Sequence, residues 1–131
     1  MGRFAQNLMK IIIKINSKLG YFLFAKMAGL YCELEDAGFV VFRQEEFPIY
    51  YKGRPSPVKR KIDLVAKDPD LGLVILELKA INYIGEQQRK QLWSYLKLTN
   101  TKYGMLINFG TTRVYSENWE LDENTGLCKR V

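Results

Sequence analysis

Histidine is absent from this chain, and cysteine occurs only twice. The first absence removes the Ser-His and Cys-His nucleophile arrangements and every zinc site that uses imidazole. Cys32 and Cys128 cannot build a four-thiolate site, and two cysteines make no disulfide framework, so a reducing cytosol suits the composition. Long apolar runs are missing too. Lys10, Lys14, Lys18 and Lys26 interrupt the greasy N-terminal region, and no window approaches the roughly 18 apolar residues of a membrane span. Only Ile11, Ile12 and Ile13 separate Lys10 from the next lysine, too few for the apolar core of a signal peptide. Repeats, low-complexity tracts and linkers are lacking as well. The expectation is a soluble cytoplasmic protein with no membrane partner, one domain over 1–131.

What is present is ordinary in amount and uneven in sign. Apolar residues make up 47% and charged ones 26%, enough for a real core at this length. Twenty Lys and Arg against 14 Asp and Glu leave a net charge of +6. A surplus of that size permits a phosphate-bearing partner without establishing one.

In order, the pattern predicts a helical region over 4–37. Leu8, Ile11, Ile12, Ile15 and Leu19 share one face and Lys10, Lys14 and Lys18 the other. Gly20 breaks or kinks it, and a second helix through Phe22, Phe24, Met27, Leu30 and Leu34 stops at Gly38. Glu33, Glu35 and Asp36 close that helix, solvated or with one of them reaching toward a site. Residues 39–51 read as a strand with a polar break at Gln44-Glu45-Glu46, and 52–57 as a loop marked by Gly53, Pro55 and Pro57. The next strand, 58–67, places Ile62, Leu64 and Ala66 on one face and Asp63 and Val65 on the other. Asp68 to Gly72 is turn chemistry. Then come a strand ending in Glu77-Leu78-Lys79, a connection over 82–85, a helix over 86–98 and a strand over 103–109. The rest, 111–131, reads as a polar tail with an edge strand at 113–115. The order α-β-β-β-α-β predicts an α/β fold with a mixed sheet flanked by helices.

The Val74–Lys79 stretch carries the chemistry. Glu77 and Lys79 share a face, with Val74, Leu76 and Leu78 opposite. Either this is a half-exposed strand with two ions on its wet side, or it is a site. The 68–72 turn makes a hairpin in which Asp63, five residues before the turn, lies across from Glu77, five after it. Two carboxylates flanked by water suit Mg²⁺ or Mn²⁺. A lysine beside them can orient or deprotonate an attacking water, and the reaction would be phosphodiester hydrolysis. Lys52, Arg54, Lys59, Arg60 and Lys61 precede Asp63, as phosphate contacts or as the solvated lysines of an edge strand. Tyr50 and Tyr51 beside them either pack in the core, the favoured reading, or stack on bases. Gln91 and Tyr95 share a helix face with Leu92 and Leu96. The Gln91 amide needs a partner there: a metal water, a phosphate or a backbone carbonyl.

Together, Asp63, Glu77-Leu78-Lys79 and Gln91-Leu92-Trp93-Ser94-Tyr95 resemble the PD-(D/E)XK nuclease superfamily. Tyr50-Tyr51-Lys52-Gly53, Leu76 to Ala80 and Gly104-Met105-Leu106-Ile107-Asn108-Phe109-Gly110 are similar, more narrowly, to the GxxExxY proteins. The resemblance covers roughly 15–115. It implies a restriction-endonuclease-like core and metal-dependent cleavage of nucleic acid, in the main DNA, in repair or defence. Asp63 and Glu77 would hold Mg²⁺ or Mn²⁺, Lys79 would be the catalytic lysine, and Gln91 and Tyr95 would support the site and the bound strand. Ile62 stands where the superfamily's name has proline. Gly20 corresponds to the namesake glycine, but 21–28 carries no glutamate, and in many relatives a first-helix acid assists metal binding. Two other readings therefore stand beside the nuclease: a weak or inactive member that binds nucleic acid, and an interaction module docking through its lysine-striped first helix. A homodimer through the apolar N-terminal helix is compatible with each.

Overall fold

The computed structural model describes residues 1–18 and 23–131, with the side chains of 16–18, 23, 24 and 45 left aside. The predicted break at Gly20, with Leu19 and Phe22, lies outside the described residues. On either side run α1 (Gly2–Lys18) and α2 (Leu23–Asp36). Phe4, Ala5, Leu8, Ile12 and Ile15 form the buried stripe of α1, and Met27, Leu30 and Leu34 that of α2. Each of these side chains except that of Ala5 contributes roughly 1.5–3 kcal/mol on burial. Gly38 ends α2 with φ +92°, while the Phe39 N–H closes the turn onto the Leu34 carbonyl. Glu33 pairs with Lys14 of α1 at 3.2 Å, an exposed contact worth at most about 1 kcal/mol.

Six strands form one sheet in sequential order: β1 (Val40–Tyr51), β2 (Arg54–Asp68), β3 (Gly72–Lys79), β4 (Tyr103–Asn108), β5 (Tyr115–Leu121) and β6 (Cys128–Arg130). All neighbours are antiparallel except β3 and β4, whose parallel pairing needs the crossover helix α3 (Glu86–Thr99). Helices α1 and α2 cover one face, against Leu64, Val74, Leu76, Leu78, Met105 and Ile107. Helix α3 covers the other, where Leu92 and Leu96 meet Ile62, Val65, Ile75 and Leu106. Both faces of β3 are thus dry, which rules out the half-exposed strand. This is the mixed sheet between helices that the α-β-β-β-α-β order predicts. Among the described residues no helix is long and apolar enough to cross a membrane.

Four sequence expectations are corrected. Residues 54–57, read as a loop, are the start of β2, and only Lys52 and Gly53 turn, with φ of 51° and 77° as in a type I′ hairpin. Before Leu64, β2 pairs with β1 alone, so prolines sit there without breaking a second ladder. Second, β1 runs through the polar break, and Ile62 lies with α3 while Leu64 and Ala66 lie with α1 and α2. The alternation flips where Gln44 adopts φ +49° opposite Asp63. Third, Tyr50 and Tyr51 do not pack in the core; they are 52% and 66% exposed on the arm that β1 and β2 form past the sheet. Fourth, the tail 111–131 supplies β5 and β6. Its buried positions alternate at Glu117, Trp119 and Leu121, a period-two signal concealed by a charged residue.

Candidate active site

The site lies where β2 parts from β3. The β2–β3 ladder ends at the Leu64–Leu76 pair, one step short of Asp63 and Glu77. There the Asp63 side chain takes over from the backbone: its Oδ2 accepts the Leu78 N–H at 3.0 Å. Glu77 points to the α3 side and is 3% exposed. Its Oε2 lies 3.8 Å from Lys79 Nζ, and its Oε1 is buried with no hydrogen-bond partner among the described residues. Burial raises the Glu77 carboxyl to about 8, the Asp63 charge adds to this, and Lys79 and the Asp63 backbone N–H offset part of it. A carboxylate this dry with one oxygen unsatisfied is suited to a cation.

Lys79 is held from above. Its Nζ donates to Gln91 Oε1 at 2.5 Å, and Gln91 Nε2 donates to the Tyr95 hydroxyl at 3.2 Å. Burial first, then the Glu77 charge, raises the Tyr95 phenol, while Gln91 and Arg60 lower it. The partner Gln91 needs is therefore Lys79, none of the three anticipated. Arg60 is the arm cation that shares this face: it pairs with Phe47, which packs with Ile62 beneath α3. Its register neighbours Lys59 and Lys61 point the other way. Lys52 and Arg54 flank the hairpin tip, exposed and farther out.

Two supports carried no assigned role in the sequence reading. Asn108, fully buried and paired with Lys79 across β3 and β4, clamps the chain just after the lysine. Its Oδ1 accepts the Ile81 and Gly110 N–H groups, each at 3.0 Å, and its Nδ2 donates to the Ile81 carbonyl at 2.9 Å. Gly110 packs so closely that an added Cβ would lie 2.2 Å from the Ile81 oxygen. Gly110→Ala must displace backbone, so it should destabilise the protein by at least about 2 kcal/mol, read as a lowered urea midpoint. An unchanged midpoint would mean the Lys79–Ile81 segment is not clamped there.

The second support is the Glu117 cluster, which the sequence reading missed. Glu117, 1% exposed, accepts Arg89 Nε at 2.9 Å and Nη2 at 2.6 Å, the Tyr115 hydroxyl at 2.6 Å and Trp119 Nε1 at 3.0 Å. Burial alone would raise this carboxyl, but the hydrogen bonds from Arg89, Tyr115 and Trp119 overcome it and hold the group at about 2. Arg89 thereby ties α3, and with it Gln91 and Tyr95, to β5. A lowered native pKa contributes stability above about pH 4.5 that is lost as pH falls toward 2. Arg89→Ala strands a buried carboxylate and should cost about 3–5 kcal/mol at pH 7, with the difference from wild type shrinking in acid. Equal loss at pH 7 and pH 3 in chemical denaturation would contradict that role.

A family model described as the PD-(D/E)XK nuclease superfamily matches residues 3–120. No curated protein matches the chain. Among solved structures, the crystal structure of SSO0001 superposes with a TM-score of 0.57 at 20% identity, over 76% of this chain. The chain spans 52% of that protein's length, and the likeness is one of fold. No group of three or more Asp, Glu, Cys or His side chains gathers among the described residues. Asp63 and Glu77, both oxygen donors, are the residues that would hold a divalent cation.

Proposed function

Because this chain belongs to the PD-(D/E)XK nuclease superfamily, we propose that it is a divalent-metal-dependent nuclease acting on nucleic acid, DNA in our reading, in repair or defence. The observation that carries the proposal is Glu77: a buried carboxylate with a free oxygen, facing Asp63's strand, with an anchored lysine beside it. Asp63 and Glu77 would hold Mg²⁺ or Mn²⁺. Bound there, the cation supplies charge neutralisation at the phosphate and acidification of the attacking water. Lys79 orients that water and the phosphate oxygen beside it. Gln91 fixes the ammonium, Tyr95 fixes Gln91, and Arg60 adds positive charge on the same face. Lys52, Arg54, Lys59 and Lys61 contact the phosphate backbone. Within the superfamily, the resemblance of the stretch Gly104 to Gly110 is what supports a place among the GxxExxY proteins.

Calorimetric titration with Mn²⁺ tests the site. Wild type should bind, and Asp63→Asn should weaken binding at least tenfold. Since the ligand form of Glu77 is the ionised one, binding should release a proton, and affinity should rise up to tenfold per pH unit below about 8. No heat of binding at pH 8 would sink the metal site and favour the second reading, a nucleic-acid binder that does not cut. What favours that reading is the first-helix side: Glu33 is engaged by Lys14, and Lys26, 2% exposed, lies 5.1 Å from the Phe109 ring centroid.

The arm gives a separate expectation. Replacing Lys59, Arg60 and Lys61 together with alanine removes three exposed charges and should leave the fold intact. It should reduce the slope of log affinity for DNA against log salt by roughly 2–3. Anisotropy titrations at several salt concentrations read this directly, and an unchanged slope would place the phosphate contacts elsewhere.

A further inference from the structure

The arm flanks the site on the β2 side, and a cleft of about 500 Å³ flanks it on the other. The cleft opens at the C-terminal ends of the parallel strands β3 and β4, between residues 82–84 and 111–115. Asn108 lies in its wall and is the register partner of Lys79, so the cleft begins one strand over, about 4.8 Å, from the strand carrying Glu77 and Lys79. Its lining is mostly apolar, from Ile84, Val114 and the Tyr83 and Tyr115 rings, with Arg113 exposed at the rim. Tyr83 is 77% exposed.

One wall is preformed. The Tyr115 hydroxyl donates to the buried Glu117 carboxylate at 2.6 Å and accepts from Arg130 at 3.3 Å, so the ring is held at its polar end. On the other side Tyr83 belongs to the segment that Asn108 clamps through Ile81. Aromatic rings over an apolar floor, with a guanidinium at the rim, recognise a flat π-system that carries an attached anion. A duplex base is already stacked and paired, so it has no free face to present.

We infer that this cleft seats an unpaired nucleobase of the nucleotide next to the scissile phosphate. The inference rests on the nuclease reading and narrows its substrate to strands with an unpaired base at the cut. The bound strand runs from the basic arm, past Glu77 and Lys79, to the cleft. Tyr83 stacks on the base, and Arg113 meets the phosphate beyond it.

Two measurements separate this from the nuclease reading. NMR-monitored titration compares dAMP with 2-deoxyribose 5-phosphate, which lacks the base, on wild type and Tyr83→Ala. Stacking makes dAMP bind at least about tenfold more tightly than the sugar phosphate, and Tyr83→Ala removes most of that difference. Equal binding of the two compounds, or an undiminished preference in Tyr83→Ala, overturns the cleft whether or not the protein cuts. AMP in place of dAMP distinguishes a ribonucleotide from a deoxyribonucleotide, the base being adenine in both. In the second measurement, single-stranded oligonucleotides with one abasic residue are cleaved and the cuts mapped. Cutting is suppressed at one fixed offset from the lesion in wild type, and cutting without any such offset overturns the proposal. Absence of all cleavage bears on the nuclease reading, and the nucleotide titration then decides the cleft.

Discussion

Glu77→Gln should make the metal-free protein more stable at pH 8, while removing a proposed metal ligand. In the native state the Glu77 carboxyl is raised from 4.5 to about 8. For a raised carboxyl, the stabilising contribution is complete below the unfolded value and is lost as pH climbs through the folded one. Metal-free wild type should therefore lose stability between about pH 4.5 and 8 and change little from this group above that. One unit corresponds to about 1.4 kcal/mol, so the full shift represents about 4–5 kcal/mol. The neutral amide has nothing to ionise, and its stability should stay nearly level through the same window. Urea unfolding in EDTA at pH 5, 6.5 and 8 measures the difference between the two proteins. A difference that does not grow with pH would mean that Glu77 is ionised and satisfied without a cation, and the metal-site argument would lose its basis.

Lys79→Ala should lower kcat for cleavage by about 10²–10³-fold with the fold retained, the range for losing a positioned charge that acts on the attacking water and the phosphate oxygen. Gln91→Ala leaves the ammonium in place but frees it from its 2.5 Å anchor, so a loss of about tenfold is expected. The two residues act as one unit. The double variant should consequently be no slower than Lys79→Ala alone, a non-additivity that single-turnover rates reveal. Fully additive losses would show that Gln91 works on the substrate independently of Lys79.

How far the sequence foretold these features depends on whether a residue's partners are near in pattern or only in space. A turn with five residues on each side sets Asp63 across from Glu77, and the observed ladder ends at Leu64 with Leu76, one step short of that pair. Asp68 is the turn former expected, its Oδ2 accepting the N–H groups of Asp70 and Leu71. Helix α3 was legible because Leu92 and Leu96 repeat at helical spacing beneath Gln91 and Tyr95. The arm was not. Pro55 and Pro57 mark loops in most contexts, and only a strand paired on one side accommodates them. For the same reason Tyr50 and Tyr51, apolar enough for a core, project beyond the layer that could have covered them.

Glu117 was hidden for a different reason. A glutamate in Tyr115-Ser116-Glu117-Asn118-Trp119 reads as solvent-facing, and its three donor residues come from α3 and from both sides of its own strand, with Arg130 of β6 an ion-pair neighbour at 3.8 Å. No local pattern announces that convergence. Asn108 and Gly110 belong to the stretch that carries the family resemblance, but their duty is legible only once Ile81 is seen folded against them.

That Asp63, Glu77 and Lys79 form a metal-dependent phosphodiester-cleaving centre is the proposal on which the other expectations rest. It is tested most directly by incubating the protein with single-stranded DNA, duplex DNA and RNA in Mg²⁺ or Mn²⁺, with EDTA as control. Glu77→Ala and Lys79→Ala are run alongside. Cleavage should require the metal, be lost in Glu77→Ala and fall at least about a hundredfold in Lys79→Ala. Cleavage that persists in EDTA or in both variants would contradict the proposal, as would the absence of cleavage under every metal and substrate.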